Sequence, residues 1–128
     1  MTAPAITQGL AVAIGGAAGA LLRWRMGAWL NVMPWPMAAG TLAVNVIGGA
    51  LIGFSLVAFE RAPNELLRLL LVTGGLGGLT TFSAFSAESL GLLIRGNWPV
   101  AIAHTLAHVL GSLLAAAAGW QIGRWVLA

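Results

Sequence analysis

Charged residues are scarce in this chain, and cysteine is absent from it. Only 7% of its 128 residues are charged and 59% are hydrophobic, whereas an ordinary soluble domain carries about 25% charged residues. Without cysteine the chain has no disulfide or thiol chemistry. It also has no aspartate, and no serine stands in a G-x-S-x-G motif, so a hydrolytic triad has no support. The composition therefore indicates an integral membrane protein and offers nothing in favour of an enzyme.

The length of the chain limits how often it crosses a bilayer. A helical span needs about 20 apolar residues, so 128 residues allow four spans with short loops. We predict a single transmembrane domain over 1–128, with spans at roughly 6–30, 37–59, 65–95 and 98–127. The prolines lie at the ends of these spans or between them: Pro4, Pro34, Pro36, Pro63 and Pro99. The first apolar run is too long for a signal peptide, and we expect it to be retained.

Aromatic and basic residues mark the ends of the spans. The tryptophans lie where an aromatic belt would put them: Trp24, Trp29, Trp35, Trp98, Trp120 and Trp125. The chain has six basic residues, all arginine, and they form no cluster. Arg61, Arg68 and Arg124 would lie on one side of the membrane, and Arg23, Arg25 and Arg95 on the other. Because this balance gives no preferred orientation, the chain could insert both ways and pair with an inverted copy.

The third span contains a glycine-rich and hydroxyl-rich run, 74–86, that reads GGLGGLTTFSAFS. Broken backbone at membrane depth is tolerated only where protein or a watery cavity covers it. We expect a break within Gly74–Gly78 that frees carbonyl groups, which are suitable ligands for a small cation. A tight helix crossing is the alternative, because small residues recur at four-residue spacing here and elsewhere. The pairs are Gly15 and Gly19, Gly49 and Gly53, Gly74 and Gly78, and Gly119 and Gly123.

Polar and aromatic side chains occupy the second half of this run. Phe82 and Phe85 share one helical face, next to Ser83 and Ser86. Phenyl edges together with hydroxyl groups would suit an anion, phenyl faces would suit a cation, and ordinary packing is the third possibility. In the second span, Asn45 either lines the same pathway or ties two helices together.

The fourth span carries a polar stripe of His104, His108 and Ser112. Two histidines at this spacing could bind a metal, but they lack the glutamate of an H-E-x-x-H helix, so a polar helix face is favoured. In the third span, Glu88 is an intramembrane carboxylate, which either has a functional role or pairs with an arginine.

Three motifs carry a resemblance to a known family. The segments Gly74–Glu88 (GGLGGLTTFSAFSAE), Gly40–Asn45 (GTLAVN) and Leu22–Trp24 (LRW) closely resemble the Fluc (CrcB) family of bacterial fluoride channels. Similar length and span number extend the resemblance over the whole chain. It implies an all-α, multi-pass protein of the bacterial inner membrane, with a break in the third helix. It also implies an antiparallel, dual-topology homodimer that exports fluoride passively and so lowers its toxicity.

The resemblance also implies roles for individual residues. Backbone carbonyls of Gly77 and Thr80 from each subunit would hold a structural Na⁺ at the dimer centre. The fluoride pathway would be lined by Phe82, Phe85, Asn45, Thr41, Thr81, Ser83, Ser112 and His104, with Arg23 and Glu88 at a vestibule. Two positions depart from the family pattern: His104 stands where some members have tyrosine, and Ala116 stands where a hydroxyl is common.

Two other functions compete with a channel. A dual-topology exporter similar to the small multidrug-resistance proteins would need a carboxylate in the first span, where this chain has none. A non-transporting membrane assembly subunit would need no broken helix. The fluoride channel is preferred because hydroxyl, amide and phenyl-edge donors can replace the water around a small, strongly hydrated anion.

Overall fold

Four helical segments dominate the computed structural model, which describes residues 3–32 and 37–128. The segments Ala5–Leu30, Ala39–Arg61, Glu65–Ile94 and Trp98–Val126 are long and apolar enough to cross a membrane. The described part of the chain contains no β-strand. An all-helical membrane protein is therefore confirmed. The expected placements of Pro34, Trp35 and Pro36 fall outside the described residues.

The first two spans are single helices, α1 (Ala5–Leu30) and α2 (Ala39–Arg61), and the last is α6 (Trp98–Val126). The third span has several parts. It begins with α3 (Glu65–Arg68), which Asn64 caps by accepting a hydrogen bond from the backbone N–H of Leu67 at 2.9 Å. A π-helical segment (Leu69–Leu76), α4 (Gly77–Leu79) and α5 (Phe82–Ile94) follow in chain order.

The non-helical residues of the third span are Thr80 and Thr81. Thr80 has φ −84° and ψ 158°, and Thr81 has φ −151° and ψ 118°, so both are extended. Gly74–Gly78, where the sequence indicated an interruption, are helical instead. Gly74 and Gly78 are needed for close packing, which requires no change of backbone direction.

That packing brings the third span against α1. A Cβ atom on Gly74 would come within 2.9 Å of the Gly16 nitrogen, and one on Gly78 within 3.0 Å of the Ala20 nitrogen. Side chains at these glycines would collide with backbone atoms, which cannot move aside. Glycine is therefore required at this crossing so that the two backbones can approach each other.

A second pair of helices forms in the same way from α2 and α6. A Cβ atom on Gly49 would lie 2.5 Å from the Ser112 carbonyl oxygen, and one on Gly119 would meet the carbonyl of Ala50. The four-residue glycine spacing therefore marks helix packing in both pairs. A tight turn at Gly96, with φ 73°, leads from α5 into α6, and Pro99 occupies the first turn of α6.

Candidate functional site

A groove of about 500 Å³ lies where α2, the third span and α6 meet. Its wall includes both extended threonines and the two phenylalanines that follow them. The sequence-predicted site residues that line it are Asn45, Gly77, Thr80, Thr81, Phe82, Phe85 and Ser112. Residues far apart in the chain thus converge on one surface near the middle of the spans.

Asn45 connects all three walls of this groove. Its Oδ1 accepts the backbone N–H of Thr81 at 2.8 Å, and its Nδ2 donates to the Thr81 carbonyl at 3.0 Å. The same Nδ2 lies 3.2 Å from Nδ1 of His108 on α6. Of the two roles that the sequence left open, the structure shows the tie between helices, and it places the amide on the groove wall as well.

The hydrogen bonds of Asn45 and Thr81 draw backbone donors away from two carbonyl groups. In an unbroken α-helix the Thr81 N–H would bond to the Gly77 carbonyl, and the Ala84 N–H to the Thr80 carbonyl. Here Thr81 donates to Asn45, and Ala84 donates to the Thr81 hydroxyl at 3.1 Å. The carbonyls of Gly77 and Thr80 are thereby released from their helical partners. Such oxygens are the ligands that a hard cation prefers, so these residues fit a bound alkali ion.

Phe82 and Phe85 have different surroundings although their ring centroids are only 5.2 Å apart. Phe82 is 78% exposed in the single chain, and Phe85 is buried. The Phe85 ring stacks on His104 at 5.5 Å and lies 4.8 Å from His108. The rings of Phe82 and Phe85 are tilted by 58° to one another, which turns ring edges as well as faces toward their neighbours.

A hydroxyl pair stands beside the phenylalanines at the start of α5. The Thr81 and Ser83 hydroxyl oxygens are 3.1 Å apart, and Thr81 also caps α5. Ser86 points its hydroxyl back to the Phe82 carbonyl at 2.9 Å. The first turn of α5, with its partial positive charge, therefore lies at the groove.

A second polar cluster surrounds Glu88, one turn further along α5. One carboxylate oxygen accepts the Thr41 hydroxyl at 2.5 Å, and the other lies 3.1 Å from Nε2 of His104. The other ring nitrogen of His104 lies 2.9 Å from the Ser89 hydroxyl. Both oxygens of this carboxylate are thus engaged by neighbouring side chains.

Glu88 and His104 line a separate cavity of about 390 Å³, here called the outer cavity, which Arg95 also lines. Arg23, the expected vestibule residue, donates from Nε to the Gly78 carbonyl at 3.0 Å. Within the described part of the chain, Arg23 lines neither the groove nor the outer cavity.

His108 and Arg95 are the site residues that sequence reasoning missed. The sequence places His108 on a polar helix face one turn after His104, which indicates that the two side chains are neighbours. Glu88, His104 and His108 each bring one potential metal-ligating atom within 4.8 Å of the others. Arg95 gave no signal beyond its place at the end of the third span.

Comparison with known proteins gives a consistent family. The sequence profile described as "CrcB-like protein, Camphor Resistance (CrcB)" matches residues 10–120. The chain is 49% identical over 119 residues to the "Fluoride-specific ion channel FluC" of Chromobacterium violaceum, covering 91% of this chain and 94% of that relative. It is 46% identical over 124 residues to the protein of that name from Albidiferax ferrireducens, covering 93% and 92%. The Bordetella petrii protein of the same name is 50% identical over 112 residues, covering 86% of each chain.

Proposed function

Because the chain belongs to the CrcB family, we propose that it is a passive, fluoride-selective channel that lets fluoride leave the bacterial cytoplasm through the inner membrane. The observation that carries this proposal is the groove, where ring edges, hydroxyls and the first turn of α5 converge at membrane depth. An ion channel needs no reacting groups, in keeping with the ion-channel name that the relatives carry.

Fluoride is small and holds its water strongly, so a pathway has to offer replacement donors. The hydroxyls of Thr81, Ser83 and Ser112 and the positive edges of Phe82 and Phe85 are the donors in this proposal. The partial positive charge at the start of α5 favours an anion at the same place. Asn45 supports the path by holding the Thr81 peptide, since both of its amide N–H groups are engaged.

The released carbonyls of Gly77 and Thr80 are our candidates for the ligands of a structural sodium ion. When bound, such an ion adds fixed positive charge close to the groove and raises the local potential for anions. The chain's own residues prepare the site, because Asn45 and Thr81 capture the N–H groups that would otherwise occupy these oxygens.

A partner subunit is part of the proposal because the groove is a surface feature of the single chain. Thr80 and Thr81 are extended at this surface, and non-helical backbone at membrane depth is tolerated only where protein or a watery cavity covers it. We propose an inverted copy as the partner, since three arginines at each end of the molecule give no preferred orientation.

Fluoride efflux from liposomes tests the function directly. Purified protein is reconstituted into vesicles loaded with potassium fluoride, and release is followed with a fluoride electrode after the potassium gradient is short-circuited. We expect rapid release of fluoride, and no comparable release of chloride from matched vesicles. Replacing all sodium by a large organic cation during purification should reduce the release if sodium is structural.

Three outcomes would contradict the proposal in different ways. Fluoride retention equal to that of protein-free vesicles would remove the channel function. Equal fluoride release after exhaustive sodium removal would refute only the structural role of sodium. Proton-coupled uptake of a quaternary ammonium ion without fluoride release would favour the exporter, although the Glu88 carboxylate is already engaged by Thr41 and His104.

A further inference from the structure

Arg23 makes a contact that neither the groove nor the outer cavity explains. Its Nε donates a hydrogen bond to the Gly78 carbonyl at 3.0 Å, across 55 positions of the chain, and the side chain is half-buried. Within the described residues, Arg23 lines neither of the two cavities. A charged side chain inside a membrane-spanning helix is costly and usually has a function, so its bond to a backbone oxygen calls for an explanation.

The Gly78 carbonyl needs a partner because the third span is interrupted just after it. In an unbroken α-helix this carbonyl would accept the backbone N–H of Phe82. Phe82 is instead the first residue of α5, and the extended residues Thr80 and Thr81 separate it from α4. The Gly78 oxygen thus lies at the carboxyl end of the first half of the third span, where helix carbonyls carry partial negative charge. The Arg23 guanidinium supplies both the donor and the positive charge that this end requires.

The glycine crossing of α1 places Arg23 within reach of this carbonyl. A Cβ atom on Gly19 would lie 2.8 Å from the backbone nitrogen of Leu79, so the α1 backbone passes directly beside the end of α4. Arg23 follows Gly19 by four residues and therefore lies on the same face of α1, one turn further along. The side chain thus reaches Gly78 from a backbone that close packing already holds in place.

Arg23 and Thr80 occupy the carbonyls on either side of Gly77. On one side, the Leu76 carbonyl accepts the Thr80 backbone N–H at 2.9 Å and the Thr80 hydroxyl at 2.8 Å. On the other side, the Gly78 carbonyl accepts the Arg23 Nε–H. The Gly77 carbonyl lies between them and has lost its helical donor. The two bonds therefore single out the Gly77 oxygen as the ligand that this turn offers to a cation.

We propose that Arg23 is a positioning residue for the structural cation: by holding the Gly78 carbonyl, it fixes the peptide next to Gly77 and keeps the Gly78 oxygen out of the ligand set. The proposal rests on the sodium site of the proposed function, and it gives Arg23 a role there besides any at a vestibule. The carbonyls of Gly77 and Thr80 belong to backbone that has lost its own helical bonds, so groups outside the ligand set have to hold their directions. Attraction of anions is the competing use of the same guanidinium, since positive charge also draws fluoride toward a mouth.

Sodium-dependent thermal unfolding in detergent tests the positioning role without any measurement of transport. The full-length protein is stripped of sodium in N-methyl-D-glucamine chloride, and the unfolding midpoint is followed as sodium replaces that cation at constant ionic strength. We expect Arg23→Met to need at least about tenfold more sodium than the parent for half of the full rise in midpoint, since a lost charge-assisted bond is worth about that factor. Arg25→Met is the matched control and should behave as the parent does, because it removes the same charge from a side chain that lies against Trp24 and Trp29. Equal sodium requirements in the two variants would overturn the proposal.

Arg23→Lys separates positioning from the attraction of anions, and it provides the decisive measurement if Arg23→Met does not fold. The variant keeps the positive charge but has no Nε–H group to donate to the Gly78 carbonyl. We expect its sodium requirement to rise at least about threefold. Its fluoride release from liposomes should be lower than that of the parent in dilute sodium and should be restored in concentrated sodium. A sodium requirement equal to that of the parent, or release that stays low at every sodium concentration, would refute the inference.

The same measurements separate this inference from the function on which it rests. If sodium leaves the unfolding midpoint of the parent protein unchanged, the structural ion of the proposed function fails, and the role of Arg23 falls with it. If the parent responds to sodium and Arg23→Met responds at the same concentrations, only the role of Arg23 fails. Fluoride release by the parent protein is judged separately in the efflux assay.

Discussion

Phe82 and Phe85 lie one turn apart on α5, but their neighbours predict different consequences of substitution. Replacing either by isoleucine removes the ring edge, and we expect fluoride release to fall at least tenfold in both variants. Phe85 is buried against the rings of His104 and His108, so Phe85→Ile should also lower the free energy of unfolding by about 1–3 kcal/mol. Phe82→Ile should change it by less than about 0.5 kcal/mol in the isolated chain.

Thermal unfolding in detergent, measured beside the efflux assay, distinguishes these cases. A Phe82→Ile variant that conducts normally would show that Phe82 is not part of the fluoride pathway. A Phe85→Ile variant that loses conduction only because it unfolds would leave its role in the pathway unsupported. Efflux is therefore compared at equal amounts of folded, reconstituted protein.

At the level of single residues, the sequence predicted which residues belong to the site better than it predicted their hydrogen-bond partners. It singled out Asn45 as a polar residue in an apolar span, because an amide in hydrocarbon needs hydrogen bonds. It left the role of Asn45 open because the Thr81 peptide is 36 positions away along the chain. The position of His108 was visible, but its contact with the Asn45 amide depends on the fold, which the local sequence does not encode.

At the level of elements, the glycines of α1 and the third span provide a direct test of the packing. A Cβ atom on Gly78 would collide with the Gly16 carbonyl, whereas a Cβ atom on Gly9 would have nothing within 4 Å. We therefore expect Gly78→Ala to abolish folding or to cost at least about 2 kcal/mol, because backbone atoms cannot yield. Gly9→Ala should be neutral or stabilise α1 by up to about 1 kcal/mol.

Size-exclusion profiles and thermal unfolding in detergent are the measurements for this pair of variants. A stable, monodisperse Gly78→Ala protein would show that α1 and the third span are not held together as described. Loss of stability in Gly9→Ala would mean that this part of α1 contacts something beyond the single chain. Because the two variants add the same methyl group to a helix, the difference between them measures the crossing alone.

The third span also shows where the sequence pattern and the observed backbone differ. Its glycine run predicted non-helical backbone, but glycine serves close approach as well as broken geometry, and the sequence does not distinguish the two uses. The extended residues are Thr80 and Thr81, whose β-branched side chains tolerate that conformation. Asn45 and the Thr81 hydroxyl replace the lost helical bonds, which local propensity does not predict.

For the whole molecule, composition and length were sufficient to predict four apolar helices. Hydropathy determines this result because every span has to satisfy its own backbone in lipid. The arrangement of the helices in two glycine-packed pairs, α1 with the third span and α2 with α6, required the structure. The sequence contained the signal in its four-residue spacing but not the identity of each partner.

The balance of arginines makes a prediction about orientation that concerns the complete assembly. If function requires two opposite orientations, adding positive charge to one end should lock the chain in one orientation and remove function. We expect Glu60→Lys with Ala62→Lys to fix the α2–α3 loop inside, and Ile94→Lys with Asn97→Lys to fix the α5–α6 turn inside. All four positions are exposed near helix ends. Either double variant alone should fail to protect a fluoride-sensitive bacterial strain, and co-expression of the two should restore protection.

Protection by one locked variant, with its single orientation verified by labelling of an introduced cysteine, would rule out the inverted dimer. The absence of native cysteine makes that labelling unambiguous. Failure of co-expression to rescue, with both variants correctly inserted, would equally contradict the pairing of opposite orientations.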